Sequence, residues 1–189
     1  MRFLSHLGVL LLLTAPVWAK DYKAYTKDCQ VGFSISHFAD RAEGSFHQFR
    51  GALHFNSQDP ASSSVEFQVG TNSIDTRNQE RDSHLRGTEY FDTTRFPEMT
   101  FESKSFRKVG NNKYMVTGPL TIKGVSKPVT VPVKLVEDKT LWATGVQALR
   151  FESTFEINRL DFGVGGENAF LGNEVRVQLE LVFHDEAGR

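Results

Sequence analysis

Apolar and polar residues alternate along most of the chain beyond residue 19, in eight separate runs. Val31, Phe33 and Ile35 alternate with Gly32 and Ser34, and Phe49, Gly51, Leu53 and Phe55 with Arg50, Ala52 and His54. Val65, Phe67 and Val69 form a third set, and Met99 with Phe101 a fourth. Tyr114, Val116, Leu120 and Ile122 lead into Val129, Val131, Val133 and Leu135. Leu149, Phe151, Phe155 and Ile157 oppose charged and polar neighbours, as do Val175, Val177, Leu179, Leu181 and Phe183. A period of two places each set on one face of a half-buried strand. Gly110-Asn111-Asn112 and Gly124 punctuate the runs as hairpin turns.

Eight one-sided antiparallel strands must bury one apolar face. Closing into a barrel also removes the exposed edges, so the expected fold is all-β, an eight-stranded antiparallel barrel. A two-sheet sandwich has the same periodicity and remains the rival. Pro119 and Pro132 fall on outward positions and lack a ladder donor, so a bulge or a break in pairing is expected there.

A barrel embedded in lipid would turn its apolar residues outward and carry aromatic girdles. Here the outward positions of the last two strands are charged, with Glu152, Glu156, Arg176 and Glu180 among them. The expected barrel therefore faces water. The 22 Lys and Arg against 23 Asp and Glu give no electrostatic case for nucleic acid.

The N-terminus reads as a separate segment. Met1-Arg2 is followed by the apolar run Leu7 to Leu13 and the small-residue end Val17-Trp18-Ala19. Such a run is too short to span about 30 Å of hydrocarbon, so residues 1–19 are expected to be a cleaved signal peptide. Residues 20–189 then form one exported domain. Cys29 is the only cysteine, so no intramolecular disulfide can form. A buried, inert thiol is the preferred reading, and a disulfide-linked homodimer is the other.

An eight-stranded barrel is either filled by its own side chains or holds a ligand. Small inward residues, Gly51, Gly118 and Ser153, lie between large apolar ones, and Phe33, Phe49, Phe55, Phe67, Phe101, Phe151, Phe155 and Phe183 share the inward parity. Rings with gaps between them suggest a tunnel; glycines that merely relieve strain would suggest a full core. The long connection from Ser73 to Phe96 favours the tunnel, because long ordered connections are more often functional than idle.

Thr76-Arg77-Asn78-Gln79 has capping-box form and Gly87 suits a C-terminal stop, so a helix is expected over 77–86. It has only Leu85 to bury and should lie across a rim, with Tyr90, Phe91 and Phe96 reaching the mouth. On that helix Arg77, Arg81 and His84 would form one stripe facing a ligand head group. The plainer reading pairs Glu80 with His84 and Asp82 with Arg86 in solvent.

No nucleophile elbow, zincin motif or phosphate-cradling glycine loop is present. Asp82 and His84 could exchange protons but have no nucleophile beside them. His37 and His47 could meet where the first strands join, without an obvious third zinc ligand. Neither a cofactor, a metal nor catalysis is expected.

Three blocks carry a family resemblance. Ser73 to Asp82 with His84-Leu85-Arg86, Phe91-Asp92 and Phe96 to Phe101 form the first; Gly118 to Gly124 with Lys127-Pro128-Val129 the second; Asp161-Phe162-Gly163-Val164 the third. Together they resemble the YceI-like polyisoprenoid-binding proteins from about Tyr25 to Phe183. The resemblance implies an extended lipocalin-like barrel, often periplasmic, that binds a long isoprenoid or quinone-type chain. Parity then nominates the contacts: Phe33, Phe49, Phe67, Phe91, Phe101, Leu120, Val131, Phe151, Phe155 and Leu179, with Arg77, Arg81 and His84 at the head group. A filled-core structural or stress-related barrel is the alternative function, and a lipid head-group enzyme a third.

Overall fold

The computed structural model describes residues 19–38 and 40–186, so all but the last residue of the expected signal segment lies outside the described residues. Strands β1 (Lys20–Ala24) and β2 (Gln30–His37) form the first stave of the barrel. The second runs through β3 (Asp40–Phe46) and β4 (Phe49–Phe55), the third through β5 (Ser64–Gly70) and β6 (Ile74–Asp75), the fourth through β7 (Glu98–Glu102) and β8 (Ser105–Gly110). Four longer strands complete it: β9 (Lys113–Ile122), β10 (Val125–Thr140), β11 (Gln147–Asn158) and β12 (Leu171–Asp185). Each stave pairs antiparallel with the next, and β12 pairs with both β1 and β2. That last pairing closes the barrel and excludes the sandwich. Each of the eight alternating runs lies in a different stave.

Where the first four staves bend, periodicity misses a strand. The inward positions of β3 are Ala42, Gly44 and Phe46, too little apolar bulk to register as a run. The small side is required: a Cβ on Gly44 would lie 2.5 Å from Cζ of Phe33.

The prolines behave differently from expectation on their β9 side. The β9–β10 ladder runs without a shift from Val125↔Ile122 to Lys134↔Lys113, through Pro128↔Pro119 and Pro132↔Met115. Two prolines can face each other only at a non-hydrogen-bonded position, where no donor is needed. Pro132 lies four residues from Pro128 and so occupies the same kind of position. On the β11 side the ladder does end nearby, at Lys134↔Glu152, and its bulge lies between Leu135 and Glu137. There Ser153 Oγ donates to the Pro132 carbonyl at 2.6 Å in place of a ladder bond.

The helix α1 spans Gln79–Arg86, two residues shorter at its start than expected. Asn78, not Thr76, is its cap and accepts from the Arg81 N–H at 3.0 Å. Arg77 has φ 58° and stands outside the helix. Gly87 does end α1, but in extended conformation at φ −69° rather than left-handed.

One end of the barrel is solid. Phe55, Phe106, Tyr114 and Phe151 meet ring against ring, over Leu149 and Phe183 with 0 % and 2 % exposure. The other end is capped by α1 and by the segment after β11, whose Phe162 and Val164 pack beside Ile122.

Candidate functional site

Above the aromatic plug the barrel is hollow. A cavity of about 410 Å³ begins at Phe106, Val116 and Phe183 and extends up to α1. Its wall is apolar through most of its depth. Inward residues of the middle barrel, including Phe33, Phe101, Phe155, Val177 and Leu179, line it and remain only half-buried. Side chains of the same parity in the plug, such as Phe151 and Phe183, are buried. The difference is the unfilled space along the axis: ring contacts do continue above the plug, Phe33 with Phe46 and Phe46 with Phe91, but they border the cavity rather than fill it.

Nine of the ten parity-nominated contacts line this cavity; Phe49 does not. Phe49 stacks on Phe67, with ring centroids 5.9 Å apart, and borders a separate outer cleft with His47 and Arg50. It follows directly on the bend between β3 and β4, where strict alternation loses its meaning. The small residues are not the gaps they suggest either. The Phe67 ring covers Gly51, where a Cβ would be 2.6 Å away, and the Glu102 carbonyl would lie 2.0 Å from a Cβ on Gly118. Ser153 is held by Pro132. The void comes from the barrel's girth, not from missing side chains.

At the mouth, Arg81, His84, Leu85, Tyr90 and Phe91 join the lining, whereas Arg77 and Phe96 do not. Phe96 instead covers Gly124, in the left-handed conformation at φ +76°, with Arg95 over its ring. The expected stripe is thus reduced to two residues. Arg81 Nε and Nη2 donate to Thr76 Oγ1 and O, each at 2.8 Å. His84 meets Glu89 at 3.7 Å and the Tyr90 ring edge-on at 5.0 Å.

The solvent pairs expected in place of the stripe are absent among the described residues. Arg86 donates to the carbonyls of Asn72 and Ile74 instead of meeting Asp82. Asp82 is buried, and its Oδ1 accepts from the Thr76 N–H at 2.8 Å and from the Thr76 hydroxyl at 2.6 Å. It fastens the connection to the helix.

His37 and His47 stand at opposite ends of the β2–β3 ladder, His37 opposite Asp40 and His47 just past Phe46. Six strand residues at ~3.3 Å put them roughly 20 Å apart, too far to share a metal. His47 pairs with Asp75 at 3.3 Å. No cluster of three or more metal-ligating side chains occurs among the described residues.

Comparison with known proteins agrees with the geometry. The model of the YceI-like domain matches residues 22–183. The chain belongs to the YceI-like family. Relatives include a UPF0312 protein of Yersinia pestis (strain Pestoides F), 36% identical over 180 residues, covering 93% of this chain and 92% of that protein. A UPF0312 protein of Enterobacter sp. (strain 638) is 37% identical over 163 residues, covering 84% and 83%. Among solved structures, BcnA of Burkholderia cenocepacia superposes with a TM-score of 0.78 at 27% identity, over 84% of this chain and 98% of that one. A polyisoprenoid binding domain from Saccharophagus degradans shares the fold at a TM-score of 0.67 and 14% identity, over 87% and 98%.

The YceI-like barrel also has site residues that alternation alone did not nominate. Phe46, Phe106 and Phe162 line the cavity from a missed strand, a missed strand and a short 3-10 turn, Arg159–Phe162. Arg159 lines it too, only 4 % exposed. Its signal was present: Phe155, Ile157 and Arg159 share one parity, and the last breaks an apolar series. Outside the lining pair His37↔Leu171, Phe38 and Phe170 stack at 4.5 Å while remaining 67% and 58% exposed.

Proposed function

We propose that this YceI-like protein holds a long hydrophobic chain, of the isoprenoid or quinone-tail class, inside its barrel in the periplasm, without catalysing its conversion. The observation that carries the proposal is the ring of half-buried inward apolar side chains around an unfilled axis. Native cores are packed to near crystal density, so an apolar void of this size is a site for an apolar guest. Burial contributes about 0.8 kcal/mol per CH₂-sized group, so a few isoprene units outweigh the ordering and association costs. The fold's presence in a domain described as polyisoprenoid-binding supports the same class of guest. The signal-like residues 1–19 support the compartment, which cell fractionation of a tagged protein tests.

The filled-core alternative needs side chains to close the axis along its whole length, whereas above the plug they border a cavity. Mass spectrometry of an organic extract from the purified protein tests the proposal: a stoichiometric lipid is expected. Phe101→Asp and Leu179→Asp should each fold and lose it. A protein without lipid, and without affinity for added polyprenol, would falsify the carrier. For the head-group enzyme, alanine at Arg77, Asp82 and His84 together should leave lipid binding in place; turnover lost without binding would revive catalysis.

A further inference from the structure

Among the charged and titratable side chains that line the cavity, Arg159 alone is buried; His37, Arg81 and His84 are all exposed. Its guanidinium is held from several sides. Nε donates to the Gly172 carbonyl at 2.9 Å, Nη1 to the carbonyls of Val164 and Gly166 at 2.9 Å each, and Nη2 to Asn173 Oδ1 at 3.0 Å. Every one of these acceptors is neutral, and none of the ion pairs among the described residues includes Arg159. A guanidinium has five N–H donors, so one hydrogen on Nη2 has no acceptor among those residues.

A buried cation that keeps its full charge is normally matched by an anion, because the low-dielectric interior penalises an unmatched one. Here carbonyl dipoles hold the group in place and leave its charge uncancelled. The wall around it is greasy, with Phe162, Val164 and Ile157 nearby in sequence and in the same lining. Tyr90 stands beside it: a Cβ on Gly165 would be 2.8 Å from Tyr90 Cε1 and 3.0 Å from Arg159 Nη1.

We infer that Arg159 is the anion receptor of the cavity, and that its guest is an amphiphile with one apolar chain and an oxyanion head, carboxylate or phosphate. This rests on the hydrophobic-guest reading above and adds the head-group chemistry to it. A planar, pre-oriented guanidinium is suited to an oxyanion, and desolvation strengthens the bond. Arg81 and His84, exposed and already engaged with Thr76 and Glu89, act on the guest less.

The test compares three probes that share one tail: geranylgeraniol, geranylgeranoic acid and geranylgeranyl phosphate, each titrated into delipidated full-length protein. The two anions should bind at least about tenfold tighter than the alcohol, the size of a charge-assisted hydrogen bond. The tighter of the two anions identifies the head. Arg159→Gln should abolish the preference while alcohol affinity stays within about threefold, the change expected when only the charged contact is lost. The double variant Arg81→Gln with His84→Gln should keep the preference.

Equal binding of all three probes by the wild type overturns the inference but leaves the hydrophobic carrier standing; no binding of any probe overturns the carrier itself. Because Arg159 also ties the segment after β11 to the start of β12, Arg159→Gln is read only if it folds. If it does not, the mouth double variant decides: a lost preference assigns the anion to Arg81 and His84, a retained one to Arg159.

Discussion

Tyr22 lies in the plug with 3 % exposure, its hydroxyl 3.2 Å from Gln147 Oε1. Burial first, and then the charges of Asp138 and Asp185, push its pKa from 10.0 up to about 12. A group whose folded pKa is raised keeps its proton in the native state while the unfolded chain has already lost it. Its stabilising effect is complete below pH 10 and disappears as pH rises towards 12. Two units correspond to roughly 3 kcal/mol. Urea denaturation near pH 8 and near pH 11 should therefore show a smaller alkaline loss for Tyr22→Phe than for the wild type; equal losses would assign that limb elsewhere. Cys29 belongs to the same scale. Its thiol accepts from the Val182 N–H at 3.2 Å, and burial raises its pKa. That setting matches the inert reading, and a disulfide to a second copy would require local opening.

The elements differ in how clearly the residues announced them. Staves five to eight are single strands whose inward positions are mostly large and apolar, and alternation located each of them. The bent staves hid β1, β3, β6 and β8, because a bend resets parity and, in β3, because Gly44 and Ala42 replace bulk with room for Phe33. Phe49 was misplaced for the same reason. In the connection to β7, the capping-box pattern drew attention to Thr76, yet its hydroxyl and N–H both serve Asp82, and Asn78 caps α1. Such reciprocal use is a tertiary matter that spacing does not reveal. Asn78→Ala should cost about 1 kcal/mol. Asp82→Ala should cost about 1–3 kcal/mol, since it strands two buried donors. Chemical denaturation of both variants checks the order; Asn78→Ala as the worse of the two would contradict this account of the connection.

At the scale of the whole molecule, inward parity was readable from the alternation, but closure rested on the cost of open edges and the tunnel on the long connection from Ser73 to Phe96, not on the wall itself. Alternation reports which face a residue takes and is silent on the distance across to the facing wall. That distance follows from stave number and tilt. The small residues taken as gaps are all occupied, while the void is bordered by ordinary Val, Leu and Phe. Leu179→Trp separates the two situations. In a full core the extra volume would cost about 1–3 kcal/mol. In this barrel the change should stay below about 1 kcal/mol, and lipid recovered by solvent extraction should fall sharply. A large destabilisation would mean that the axis is already packed.

The aromatic plug makes the barrel a cul-de-sac. Whatever goes in must come back through the same doorway, tail first inward and head first outward, and two guests cannot pass each other. Exchange of one bound chain for another should then run at the pace of departure alone, however much newcomer is waiting outside.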